Sequence, residues 1–184
     1  MPLSCRGLFM LRLPACLPLI LMATLPATGL AGDLDGHAAH QHGVAQLTLV
    51  LEKNTVQIGL ESPADNIVGF EHAPAKPGEK AAVAAALSTL RRPTLFGLNA
   101  EAACGKARTQ AGNPFDASGN AAHRDFDVNH VFECSQPTRL NRLDASPLFK
   151  AFPRLQSLKV DYALPGGQGS VTLTAASPNA MLVR

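Results

Sequence analysis

The stretch Gln46-Leu47-Thr48-Leu49-Val50-Leu51-Glu52-Lys53-Asn54-Thr55-Val56-Gln57-Ile58-Gly59-Leu60-Glu61 decides the fold. On either side of Lys53-Asn54, apolar and polar residues alternate with the two-residue period of a half-buried strand. A two-residue turn there sets Leu51 opposite Val56, Leu49 opposite Ile58 and Leu47 opposite Leu60. Every apolar pair then lands on one face, as a correct register requires. The folded part of the chain therefore opens with an antiparallel hairpin.

Downstream, Gly78 to Arg92 reads as a helix. Val83, Ala86, Leu87 and Leu90 share a stripe, Glu79 sits in the first turn, and Pro93 stops the run. Residues 101–110 make a weak strand and 111–122 a turn-rich loop. The return strand is strong, with Phe126, Val128, His130, Phe132 and Cys134 on one side. Residues 137–153 hold a second, irregular helical segment, with Ser146-Pro147 starting a short helix that carries Leu148, Phe149 and Phe152. A last strand pair follows, with Leu158, Val160, Tyr162 and Leu164, a Pro165-Gly166-Gly167 turn, then Val171 and Leu173. The fold class expected is α+β: an antiparallel sheet of three strand pairs with two helical segments on one face.

Upstream, residues 1–31 read as a cleaved signal peptide. Arg6 and Arg12 lie in a leader free of acids, Leu13 to Leu25 is largely apolar, and Gly29-Leu30-Ala31 offers small residues to a signal peptidase. The stretch is too short and too proline-broken for a comfortable membrane span. Residues 32–43 form a histidine-containing lead and 44–184 a single domain. The expected location is the periplasm, with no membrane embedding after cleavage. The remaining roughly 150 residues suffice for one core.

With Arg6 and Arg12 gone, basic and acidic residues balance, which argues against nucleic acid or an anionic membrane as the main partner. The chain has no tryptophan and one tyrosine, so it offers no aromatic platform for bases or sugars. Cys5 and Cys16 leave with the leader. In an oxidising compartment the remaining pair, Cys104 and Cys134, is most simply one disulfide. The alternative, a two-cysteine metal site, needs reduced thiolates.

Three of six histidines, His37, His40 and His42, fall within six residues just past the cleavage site. Imidazole is the commonest neutral nitrogen ligand for zinc and copper, so the cluster points to metal capture. Extending the first strand backwards puts His40 and His42 on one face, with rings able to approach one ion. His72, in Phe70-Glu71-His72-Ala73-Pro74, could add a nitrogen. Glu61, opposite Gln46, and Asp65, after the turn at Pro63, are possible ligands or carboxylates that hold a histidine tautomer. His123 and Asp125 share a polar strand face and are weaker candidates. His130 shares the apolar parity of Phe126 and Phe132 and reads as a core histidine. Alternatively the cluster is a solvated tail whose histidines are incidental.

Several segments carry a resemblance. His42-Gly43-Val44-Ala45-Gln46-Leu47, Leu60-Glu61-Ser62-Pro63-Ala64, Asn66-Ile67-Val68-Gly69-Phe70-Glu71-His72-Ala73-Pro74 and Glu79-Lys80-Ala81-Ala82-Val83 are among them. So are Phe132-Glu133-Cys134, Leu148-Phe149-Lys150-Ala151-Phe152-Pro153 and Gly167-Gln168-Gly169. Together they resemble the ZrgA-like family of zinc-regulated periplasmic zinc-binding proteins. The resemblance implies an exported accessory to zinc uptake by an ABC transporter, and carries onto His40, His42 and His72 as binding positions. One departure is that residues 105–122 contain no histidine, where better-endowed members have many.

The reading is an exported zinc-binding (Zn2+) protein whose partners are the ion and components of that transporter. Ligand chemistry alone would favour copper (Cu2+), since raw affinity rises toward it. A periplasmic structural or interaction protein is the other alternative. No His-Glu-x-x-His, Gly-x-Ser-x-Gly or phosphate loop is present, so no enzyme is expected.

Overall fold

Residues 41–116 and 124–182 are described by the computed structural model. The hairpin forms in the register read from its alternation. Strand β1 (Val44–Glu52) pairs antiparallel with β2 (Thr55–Pro63), with Leu47 opposite Leu60, Leu49 opposite Ile58 and Leu51 opposite Val56. All six are buried. Lys53 accepts φ 55° to make the turn.

The other two pairs also form. Strand β4 (Cys104–Ala111) lies antiparallel to β5 (Asp125–Cys134), which buries Phe126, Val128, His130, Phe132 and Cys134 and exposes Asp127, Asn129 and Glu133. A disulfide joins Cys104 to Cys134, which face each other across the pair. Strands β7 (Ser157–Leu164) and β8 (Gly167–Thr174) set Leu158 against Leu173 and Val160 against Val171.

Their assembly differs from the three-pair antiparallel sheet expected. The order is β4-β5-β2-β1-β7-β8, so the first hairpin occupies the centre, and β1 runs parallel to β7. A second, three-stranded sheet joins β3 (Gly97–Leu98), β6 (Arg142–Asp144) and β9 (Asn179–Met181). Alternation tells which face of a strand is buried but not which neighbours it takes or in which direction they run. Strands of two or three residues are too short to show a period at all.

Helix α1 (Ala64–Val68), which no periodicity announced, follows β2 directly. Helix α2 (Pro77–Leu90) buries Val83, Ala86, Leu87 and Leu90, the predicted stripe, and Pro93 opens a 3-10 turn after it. The segment 137–153 contains a 3-10 turn (Pro137–Arg139), β6 and helix α3 (Ser146–Ala151), which buries Leu148 and Phe149. These helices contribute to one core with the inward face of the large sheet. The opposite face exposes Gln46, Thr48, Gln57, Glu61, Asp127, Asn129, Lys159 and Asp161. Among the described residues no helix is long and apolar enough to cross a membrane.

Candidate functional site

Strand β1 begins at Val44 and does not include His42. Val44 N–H donates to the Gln41 carbonyl (3.0 Å), closing a four-residue turn, and Gly43 at its third position has φ 84°. That left-handed conformation suits glycine and breaks the extended geometry. His42 therefore sits at the corner of a turn, not on the strand face expected for it. His37, His40 and His123 lie outside the described residues.

His42 is 62% exposed, and its Nε2 lies 3.2 Å from Glu71 Oε1. His72, equally exposed, sets Nε2 3.5 Å from Glu79 Oε1, with its ring 4.9 Å from that of Phe70. Two exposed imidazoles thus each face a glutamate. Glu79 is itself fixed, since its Oε2 accepts from the Ala75 and Lys76 N–H groups at 2.9 and 3.1 Å. The backbone bonds from Lys76 and Ala75, with a smaller contribution from His72, hold its carboxyl below the ordinary carboxylate range. A neutral imidazole that gives its Nε2–H to a carboxylate turns its lone pair to Nδ1, the nitrogen then available to a metal.

The other sequence candidates lie elsewhere or are already engaged. Asp65 lines a small surface pocket with His42, Gly43, Arg154 and Gln156, so the turn at Pro63 does bring it to His42. Its carboxylate, however, accepts two bonds from Arg154 Nη2, at 2.7 and 2.8 Å. Glu61 stands opposite both Gln46 and Asp127 on the open sheet face, in a concavity with Thr48, Gln110 and Asn129. Asp125 begins β5 opposite Pro63 and is half-buried. Among the described residues no three His, Cys, Asp or Glu side chains form a metal-holding group.

His130 is fully buried between the rings of Phe96 and Phe132, and its Nδ1 meets Thr109 Oγ1 at 2.8 Å. Burial pushes its imidazole below the ordinary value of 6.5, against a weaker raising contribution from the Leu90 backbone. A neutral ring in the core fits the structural role read for it.

Sequence reasoning passed over Glu71, Glu79 and Asn66. Glu71 adjoins His72, so the neighbour was visible, but its partner is His42, 29 residues away. Glu79 is legible in the sequence only as an acid in the first turn of the helix, whereas its Oε1 also lies 3.5 Å from His72 Nε2. Asn66 gave no signal beyond its place in a matching segment.

The sequence model of the ZrgA family, described as zinc uptake proteins, matches residues 39–182. The chain belongs to that family. No curated protein matches it. The span shared with the ZrgA family includes His40, His42, His72, His123 and His130 and leaves out His37. Both imidazole–glutamate pairs lie inside it.

Proposed function

We propose that this protein is an exported, periplasmic zinc-binding accessory that hands zinc to an ABC transporter for uptake. Its family is one of zinc uptake. The observation that carries the reading at the level of chemistry is the pair of exposed imidazoles, His42 and His72, each faced by a glutamate.

In this reading zinc is cargo. His42 and His72 offer neutral nitrogens, while Glu71 and Glu79 orient the rings and add negative charge beside a dication. The described residues give two separate imidazole–glutamate pairs and no closed sphere, so in this reading further donors are drawn from His37 and His40, which precede His42 in the sequence. High exposure suits a carrier, since a site buried on all sides would release its ion slowly. The disulfide Cys104–Cys134 accords with export to an oxidising compartment.

Calorimetric titration of the mature protein with zinc tests the reading. At least one site of micromolar or tighter affinity is expected, lost in the double variant His42→Ala/His72→Ala with the fold intact. Absence of such a site, or its survival in the double variant, overturns the assignment. A parallel titration with copper ranks the two ions.

A further inference from the structure

We infer that Asn66 is the positioning residue of this site: it holds the turn that carries His42 and so sets the imidazole against Glu71. The inference rests on the zinc reading above.

Asn66 is 1% exposed, and its amide is engaged at both ends. Oδ1 accepts from Gly43 N–H at 2.6 Å, and Nδ2 donates to the Val44 carbonyl at 2.9 Å and to Ser62 Oγ at 3.3 Å. A backbone N–H can only donate and a carbonyl can only accept, so these partners fix the orientation of the amide. The two contacts straddle the peptide that joins the turn to β1. The Gly43 carbonyl, in turn, accepts from the Gln156 and Ser157 N–H groups at 2.8 and 2.9 Å. The residue next to His42 is thereby held by α1 on one side and by the entry to β7 on the other.

The same short helix carries the partner carboxylate. Helix α1 ends at Gly69, whose φ of 85° and N–H bond to the Asp65 carbonyl (3.0 Å) stop it, and Glu71 follows two residues later. Arg154 braces this element by donating Nε to the Asp65 carbonyl at 2.8 Å and Nη2 to its carboxylate. One five-residue helix therefore grips the backbone beside His42 and launches the chain bearing Glu71. Asn66 touches no imidazole and acts through Gly43.

The test combines Asn66→Ala, His42→Ala and their double variant in the full mature chain. It reads zinc affinity by calorimetry and exchange of the Gly43 amide by NMR. Asn66→Ala should speed Gly43 exchange and weaken zinc binding about 10-fold, the low end for removing a group that supports a ligand. In the His42→Ala background the same change should leave zinc affinity within about 2-fold, an outcome that general destabilisation would not give. Asn66→Asp keeps an acceptor for Gly43 N–H. It sets an oxygen against the Val44 carbonyl where the amide donated, so any loss of zinc affinity should again vanish in the His42→Ala background, and it carries the test if the alanine variant fails to fold. Equal loss with and without His42, or loosened Gly43 with unchanged zinc affinity, overturns the inference. A wild type that takes no zinc overturns the zinc reading as well, whereas affinity that depends on His42 but not on Asn66 overturns the inference alone.

Discussion

Arg154 grips Asp65 at three points, two on its carboxylate and one on its backbone carbonyl. The residues are 89 apart in sequence, and together they tie α1 to the segment leading into β7. A carboxylate held in this way is a poor candidate for taking an ion, because binding would first have to displace the guanidinium. Asp65→Asn is therefore expected to leave zinc affinity within about 2-fold and to lower stability by at most about 1 kcal/mol, since Arg154 is half exposed and solvent screens the pair. Calorimetry with zinc and thermal unfolding check both parts. A large loss of affinity would make Asp65 a ligand after all.

Burial of His130 is expected to make stability fall as pH drops below about 6.5. Its folded-state value lies below 6.5 because the ring is buried. Below about 6.5 the unfolded chain therefore binds a proton that the folded chain refuses. Stability contributed by the neutral ring is complete above that value and falls as pH drops toward the depressed one. Glu79, also lowered, loses its contribution only below its ordinary 4.5, so it adds nothing to a decline above that pH. Melting temperature should decline from pH 7 to 5, and His130→Met should flatten the slope. An unchanged slope in the variant would exclude His130 as its source.

Gly169 lies opposite Tyr162 across β7 and β8, and a Cβ on the glycine would come within 2.5 Å of the phenol oxygen. The ring covers this glycine, as aromatic residues do over glycines in sheets. Gly169→Ala should force the ring aside and destabilise by about 1–3 kcal/mol, the usual range for overpacking. Tyr162 is the sole tyrosine of a chain without tryptophan, so its fluorescence reports the displacement directly. Unfolding at wild-type temperature with an unshifted spectrum would count against the contact.

What the sequence disclosed follows the reach of its signals. Leu47, Leu49, Leu51, Val56, Ile58 and Leu60 declare their shared face because alternation is local and long, and the turn at Lys53-Asn54 fixes their register. The parallel contact of β1 with β7 left no such trace, since it joins residues more than a hundred positions apart. At the site, His42 and His72 were visible as residue types, and Cys104 and Cys134 as a pair. The turn at Gly43 was not, because backward extension of a strand pattern assumes that the backbone stays extended. Glu71 and Asn66 were missed for the same reason: each contact with the turn spans more than twenty residues and depends on α1, too short to show a period.

Glu71 decides how His42 presents its nitrogen. With the carboxylate 3.2 Å from Nε2, a neutral ring that donates there would turn its lone pair to Nδ1. Glu71→Gln keeps a hydrogen-bond acceptor but removes the charge and leaves the amide free to present either end. Zinc affinity should drop about 10-fold at pH 7.5, while the fold is unaffected, because Glu71 lies outside the buried core. Protons compete with zinc for imidazole nitrogen, so wild-type affinity should also fall as pH passes from 7.5 to 5.5, through the ordinary imidazole range near about 6.5. A flat profile would rule out histidine ligation. A Glu71→Gln variant with wild-type affinity at every pH would leave imidazole ligation standing and remove the carboxylate from the site.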